Sequence, residues 1–118
     1  MPSSHHYTNF DASLTWEVTS TATETVISGT FRNVRYALME NIEIWVTLRD
    51  TKGMQVARAV DYIFRLDRDD TAPFSVKLAA PASGEASLLF TYKYQGSDGG
   101  DGATAWMQAF ESDLTTKR

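Results

Sequence analysis

The chain has 118 residues, a net charge of −4 and a composition that is 42% hydrophobic and 22% charged, which fits one domain with its own core. The absence of cysteine excludes disulfides, thiolate chemistry and Cys-ligated metals. No run of Lys and Arg favours nucleic acid or an anionic membrane surface as a partner, and no apolar run approaches the roughly 20 residues of a membrane span.

Residues 1–12 are predicted to be a flexible N-terminal lead-in. They contain the only two histidines, His5 and His6, which we interpret as part of a tag or a disordered leader. A Ser or Thr nucleophile needs a positioned base, and two adjacent histidines in a mobile terminus are poorly suited to that role. We therefore expect no catalysis of the Ser/His type.

Alternation with a period of two is the main signal in the rest of the chain. In the segment Glu24–Asn33 its phase is ambiguous, because either the odd or the even positions could face a core. We favour burial of the odd positions Ile27, Gly29 and Phe31, because this places the large Phe31 side chain inside. The small residues around Gly29 would also let a neighbouring chain approach closely.

The clearest strand begins at Ile42. One face carries Ile42, Ile44, Val46 and Leu48, and the other carries Glu43, Trp45, Thr47 and Arg49. The segment Asp50–Gly53 is predicted to close this strand with a tight turn, in which Gly53 supplies a positive φ angle and Asp50 bonds the backbone.

A long fourth strand is predicted from Met54 to Phe64. Its apolar positions are interrupted only by Arg58 and are Met54, Val56, Val60, Tyr62 and Phe64. We expect this apolar set to face the core, and the strand to bend at Arg58 or pass there from one sheet to the other.

The complete pattern predicts an all-β, Ig-like antiparallel β-sandwich of about seven strands. The domain is expected to span residues 13–111 and to be followed by a frayed tail at 112–118. Residues 103–110 also suit a helix, because Ala, Met and Gln favour one. The seven predicted strands lie at residues 14–18, 24–33, 42–49, 54–64, 74–78, 88–94 and 103–111.

Three segments of the chain resemble the FxLYD-type domains of bacteria. They are Gly29–Asn33 (a G-x-hydrophobic-x-N strand), Ile42–Gly53 (the central strand with its D-x-x-G turn) and Pro73–Val76 (a P-F-x-V strand). The resemblance covers residues 25–78, about half of the chain. It implies an Ig-like fold, no catalytic residues, and a periplasmic or cell-surface location in an envelope-associated protein. The composition is equally compatible with the cytoplasm.

Two groups of carboxylates invite a calcium hypothesis. Asp67, Asp69 and Asp70 cluster in one predicted turn, and Asp98 and Asp101 lie in another. Calcium needs several converging oxygen ligands, and neither spacing is that of a calcium loop. We interpret both groups as solvated turns in which Asp bonds the local backbone, and we expect no metal or other cofactor.

The aromatic residues are the main candidates for recognition. Trp45 lies on the polar face of its strand, and the predicted binding surface comprises Trp45, Glu43, Thr47, Arg49 and Trp106. The alternative for Trp45 is coverage by an arginine stem or by the N-terminal segment. The sequence thus favours a non-catalytic interaction or spacer domain with a protein partner or flanking domain, acting through this surface or through the first or last strand as an open edge. The second hypothesis is a carbohydrate-binding module that uses the exposed aromatics.

Overall fold

The computed structural model describes residues 3–81, 86–98 and 102–113, which form eight strands and no helix. Residues 103–110, which also suited a helix, thus belong largely to a strand. Part of the predicted tail, residues 114–118, lies outside the described residues. The strands are β1 (Ser3–Thr8), β2 (Ala12–Ser20), β3 (Thr25–Asn33), β4 (Leu38–Arg49), β5 (Gln55–Asp67), β6 (Thr71–Leu78), β7 (Ser87–Ser97) and β8 (Thr104–Asp113).

Two four-stranded antiparallel sheets pack against each other. The first has the order β1-β2-β3-β6 and the second has the order β5-β4-β7-β8. Tyr7 of β1 stacks on Phe110 of β8, and the Ser75 N–H of β6 donates to Asp61 of β5. β1 therefore lies against β8 and β6 lies beside β5. The predicted all-β sandwich is confirmed, with eight strands instead of about seven.

The core forms between the two sheets from alternate residues of each strand. In β3, Ile27 and Phe31 are fully buried, so the favoured phase of this strand is confirmed. In β4, the apolar face that begins at Ile42 and ends at Leu48 is buried throughout. Ile27 and Ile42 thus lie on opposite walls of one apolar interior.

Gly29 allows β2 to approach β3 closely. A Cβ atom at this position would lie 1.9 Å from the carbonyl oxygen of Thr15 and 2.8 Å from the Cα of Trp16. Such distances leave no room for any side chain. The close neighbour at Gly29 is a strand of the same sheet, and the approach of another chain at this point stays a prediction.

The turn between β4 and β5 has the predicted chemistry. Asp50 accepts hydrogen bonds at Oδ1 from the backbone N–H groups of Lys52 and Met54, both at 2.9 Å. Gly53 has a φ angle of 82°, which a residue with a Cβ atom adopts only under strain. The role of Asp50 is therefore structural.

Asn33 is fully buried and serves the backbone where β3 ends. Its Nδ2 group donates to the carbonyl oxygens of Tyr36 (2.8 Å) and Leu66 (3.2 Å). Its Oδ1 atom accepts from the N–H groups of Arg35 (3.1 Å) and Tyr36 (3.0 Å). One side chain thus satisfies four backbone groups that strand pairing leaves open.

The N-terminal segment contains a strand where we expected a flexible lead-in. β1 pairs antiparallel with β2, and its inward residues stack on core rings, His5 on Trp16 at 5.5 Å and Tyr7 on Phe110 at 3.7 Å between centroids. The segment lacks apolar alternation, so its sequence gave no strand signal. It is held by pairing and stacking with residues distant in sequence, which local patterning does not report.

The predicted phase of β5 is wrong. Val56, Tyr62 and Phe64 point away from the core, while Ile63 and Leu66 are buried. The register with β4 sets this arrangement, because Tyr62 pairs with the outward Glu43 and Ile63 pairs with the inward Ile42. The larger apolar set of this strand therefore lies on the outside of the sandwich.

A carboxylate, Asp11, is fully buried where the β1–β2 turn meets β7. The Tyr92 hydroxyl donates a hydrogen bond to Oδ1 of Asp11 at 2.7 Å, and the Tyr94 hydroxyl donates one to Oδ2. Burial, followed by these bonds to Asp11, raises the pKa of both tyrosines well above its ordinary value. This polar cluster joins the first sheet to the second.

Candidate interaction surface

The outward face of the second sheet brings together four of the predicted binding residues. Glu43, Trp45, Thr47 and Arg49 alternate along β4 with the buried apolar residues of that strand. β4 is a central strand between β5 and β7. The predicted sharing of one face by these four side chains is therefore correct.

Trp45 is half-buried and already has intramolecular partners. The guanidinium carbon of Arg58 lies 4.2 Å from the centroid of its ring, and its Nε1–H donates to Glu43 at 2.8 Å. The register explains the contact with Arg58. Arg58 is opposite Thr47 in the β4–β5 pairing, and Thr47 is the next residue after Trp45 on the outward face of β4. Arg58 thus provides the coverage by an arginine stem that was the alternative for Trp45.

A shallow depression of about 520 Å³ lies beside Trp45 on the same face. Apolar side chains form part of its lining, among them Leu89 of β7 and Met107 of β8. Its charged lining residues are Arg49, Arg58 and Lys93, and no carboxylate of the described residues lines it. Arg49 is paired with Glu111 of β8.

A row of apolar side chains follows the outward face of β5. We call Val56, Val60, Tyr62 and Phe64 the apolar stripe. The exposed fractions of Val56, Tyr62 and Phe64 are 49%, 64% and 78%, and Val60 is half-buried. β5 is an edge strand, with β4 as its only neighbour within its sheet in the described part of the chain. Exposed apolar residues on an edge strand are a feature of surfaces that pair with other chains.

The apolar stripe was missed as a surface because its pattern was assigned to the core. One signal in the sequence pointed the other way. Arg58 lies in the same alternation as the stripe, and a charged residue is rarely buried without a partner. The opposite set contains the apolar residues Ala57, Ala59 and Ile63 but also Asp61, so the charged residues alone do not decide the phase.

Trp106 is not part of this face. It points inward from β8, opposite Tyr94 in the β7–β8 pairing, and contacts Phe10 edge-on at 6.0 Å and Tyr36 at 6.4 Å between centroids. Its exposed fraction is 37%, because it lies at the end of the sandwich. The structure therefore separates Trp106 from Trp45 by the thickness of the second sheet.

Arginines partner the carboxylates that suggested calcium. Asp98 accepts two bonds from Arg35, at 3.1 and 3.0 Å, and one from the Ala37 N–H at 3.3 Å. Arg68 lies 3.5 Å from the same carboxylate. Desolvation acts to raise the pKa of Asp98, but the Ala37 N–H and Arg35 outweigh it and hold that pKa below its usual value. Asp101 lies outside the described residues.

The turn at Asp67–Asp70 is built in the same manner. Asp69 is paired with Arg32 at 3.3 Å, and Asp67 lies 3.8 Å from Arg65. Asp70 accepts a bond from the Asp67 N–H at 3.2 Å. Within the residues that the structure covers, no three His, Cys, Asp or Glu side chains converge in a way that could hold a metal ion. The same residues include no helix long and apolar enough to cross a membrane.

Among known proteins, the chain is similar to others in its fold. No family model matches the chain, and no curated protein matches it. Among solved structures, the chain is similar to the GAE domain of GGA2p from Saccharomyces cerevisiae, with a TM-score of 0.53 and 10% identity over 98% of this chain and 100% of that one.

Two further solved structures have lower scores. One is a protein from Archaeoglobus fulgidus, with a TM-score of 0.45 and 15% identity over 97% of this chain and 99% of that one. The other is a β-glucuronidase of glycoside hydrolase family 2, with a TM-score of 0.43 and 8% identity over 92% of this chain and 11% of that one. Taken together, the comparisons establish the β-sandwich fold through the likeness to the GAE domain.

Proposed function

We propose that the chain is a non-catalytic interaction domain that contacts a protein partner or a flanking domain through the outward face of its second sheet. The observation that carries this proposal is the apolar stripe on the edge strand β5. Three of its four members expose about half or more of their surface to water. Burial of such side chains is the main source of free energy in protein association.

The position of the stripe supports the same function. Its residues share the outward face of β5, where Arg58 lies between Val56 and Val60, so Val60, Tyr62 and Phe64 present a continuous apolar row along the edge of the sheet. Phe64 and Tyr62 also border a second depression of about 500 Å³ together with Asn41 and Glu43. Asn41 has a φ angle of 54° and lies at the irregular step of β4, where its register with β7 shifts.

The carbohydrate-binding alternative finds less support. A sugar-binding platform needs an aromatic ring with a free face, and Arg58 lies over Trp45. Trp106 is on the opposite side of the sheet and packs against Phe10 and Tyr36. The two most exposed aromatic rings of the described residues, Tyr62 and Phe64, belong to the apolar stripe.

The proposal keeps the envelope location that the FxLYD resemblance implies. It places the domain in an exported bacterial protein, with the partner in the same compartment. Fractionation of native cells with an antibody against the domain reads this directly. Detection in the cytoplasmic fraction alone would remove the envelope part of the proposal and leave the interaction surface to be judged separately.

The interaction surface is tested by site-specific photo-crosslinking in the native host. A photoreactive amino acid replaces Phe64 on the stripe, or Lys77 on the outward face of the first sheet as the matched control. We expect a discrete adduct from position 64 and none from position 77. A Tyr62→Ser change in the crosslinking chain should abolish that adduct, and because Tyr62 is exposed it should leave the free energy of unfolding within about 0.5 kcal/mol.

The result that contradicts the proposal is equally direct. If position 64 gives no adduct above the level of position 77, the stripe is not a contact surface in the cell. Mass spectrometry of the adduct also separates a different protein from a second copy of this chain.

A further inference from the structure

The depression beside Trp45 combines positive charge with an apolar lining. Arg49, Arg58 and Lys93 line it from three different strands, and Leu89 and Met107 add apolar surface. The whole chain has a net charge of −4. A positive depression on an acidic domain is therefore a local feature of this face, and not a consequence of overall composition.

Two of the three positive side chains, Arg58 and Lys93, have no carboxylate partner within the described residues. Arg49 is paired with Glu111. Arg58 is held over the Trp45 ring, and in the described residues neither it nor Lys93 forms an ion pair.

Glu43 is the carboxylate that could neutralise Lys93, since the two are opposite each other in the β4–β7 pairing. Its Oε1 atom instead accepts the Trp45 Nε1–H at 2.8 Å. This contact turns the carboxylate toward the indole. It leaves two positive groups on the face for an incoming anion.

We propose that this depression binds an extended acidic peptide segment of the protein partner, with one carboxylate on Arg58, a second on Lys93 and an apolar side chain between them. This inference rests on the interaction function proposed above and names the chemistry of the partner. Arg58 already lies over the Trp45 ring, so its guanidinium loses less freedom when it donates hydrogen bonds to a carboxylate.

The register sets the spacing of the two carboxylates. Arg58 is level with Thr47, Lys93 is level with Glu43, and the two cations are two strands apart. With strands about 4.8 Å apart and a rise of about 3.3 Å per residue, their Cα atoms are separated by roughly 16 Å. An extended peptide covers this distance in about five residues, so its acidic residues should be four or five positions apart.

Display of random 12-residue peptides on phage provides the probe. The library is selected in parallel on the wild-type domain and on the Arg58→Gln, Lys93→Gln and Lys77→Gln variants. Lys77 is an exposed lysine on the first sheet and serves as the control for loss of one positive charge. Enriched peptides are then synthesised, and their affinities are measured by fluorescence anisotropy at two salt concentrations.

We expect wild type and Lys77→Gln to enrich the same peptides, with two acidic residues four or five positions apart and an apolar residue between them. Arg58→Gln and Lys93→Gln should each weaken the best peptide about tenfold, as for the loss of one charged hydrogen bond. Replacing the acidic residues of that peptide by their amides should have the same effect. Higher salt should weaken binding to wild type more than to either variant.

The inference is overturned if no peptide is enriched, if the enriched peptides lack acidic residues, or if neither variant weakens them. Circular dichroism of each variant verifies that the fold is kept. A failed selection together with a specific crosslink at position 64 would reject the acidic peptide and preserve the interaction function. Loss of that crosslink would reject the function itself.

Discussion

At the scale of single residues, Asp11 has the most demanding environment in the molecule. A carboxylate without solvent contact loses its hydration, and only strong hydrogen bonds offset that loss. Tyr92 and Tyr94 supply these bonds from β7. The cluster is a structural tie between the sheets, and it makes the stability of the fold depend on two phenol groups that stay protonated.

This cluster predicts a specific loss of stability in alkali. Burial and the bonds to Asp11 raise the folded-state pKa of Tyr92 and Tyr94 above the value of about 10 in the unfolded chain. Above pH of about 10 the unfolded chain therefore binds fewer protons than the folded one, and the free energy of unfolding falls as the pH rises. The contribution is fully present below that pH. Urea denaturation at successive pH values between neutrality and strong alkali measures the slope.

The variant Tyr94→Phe separates the hydrogen bond's contribution at neutral pH from the loss of stability in alkali. At neutral pH we expect a loss of about 1.5–3 kcal/mol, because the buried Asp11 carboxylate loses the hydrogen bond that the Tyr94 hydroxyl donates to it. Above pH of about 10 its slope should be shallower than that of wild type. Tyr62→Phe removes an exposed hydroxyl and should leave the neutral-pH value unchanged. Equal slopes in wild type and Tyr94→Phe would contradict this role for Tyr94.

At the scale of elements, the edge strands β1 and β5 show that the neighbouring strand determines which face of a strand is buried. β1 has little apolar character, yet its rings lie on core aromatics. β5 is rich in large apolar residues, yet most of them face water. In both strands the pairing partner decides which side of the residue row is buried, because a shift of one residue exchanges the two faces.

The contribution of β1 is measured by two neighbouring substitutions. Tyr7 stacks inward on Phe110, so Tyr7→Ala should lower the free energy of unfolding by about 1.5–3 kcal/mol, below the range for a fully buried ring because Tyr7 is half-buried. His6 is exposed and bonds Thr8 locally, so His6→Ala should change it by less than about 0.5 kcal/mol. Chemical denaturation compares the two. Equal small effects would mean that the segment contributes nothing to the fold.

At the scale of the whole molecule, the sandwich separates its surfaces by role. The ends carry Arg–Asp pairs such as Arg35–Asp98, which hold the turns together. The outward face of the second sheet carries the apolar stripe and the positive depression. Under the proposed function, recognition falls to a face and its edge, because the interior of the sandwich is filled by side chains.

The ion pairs in the acidic turns predict that calcium does not change the stability of the domain. Arg35 and Arg68 compete with any cation for Asp98, and Arg32 does so for Asp69. A ligand that binds only the folded state raises the melting temperature. Because we expect no calcium to bind these turns, calcium at about 1 mM should shift the melting temperature by less than about 1 °C. Differential scanning fluorimetry with calcium or EDTA measures this. A concentration-dependent rise would show that the acidic turns do converge on the metal.

Local patterning was sufficient for much of the architecture. Alternation predicted β3 and β4 with the correct buried residues, and it predicted the turn at Asp50–Gly53 from its residues alone. It also placed Glu43, Trp45, Thr47 and Arg49 on one face. These features depend on residues close together in the chain, where a period of two and a positive φ angle leave a direct trace.

The candidate site required the tertiary structure. Arg58 covers Trp45, the apolar stripe faces outward, and Lys93 joins the same depression only because β4 pairs with β5 and with β7 in particular registers. The sequence by itself determined which segments extend and which residues alternate. The pairing of distant strands decided which alternate set meets water, because burial is settled by the partner across the sheet and not by the residue's own neighbours.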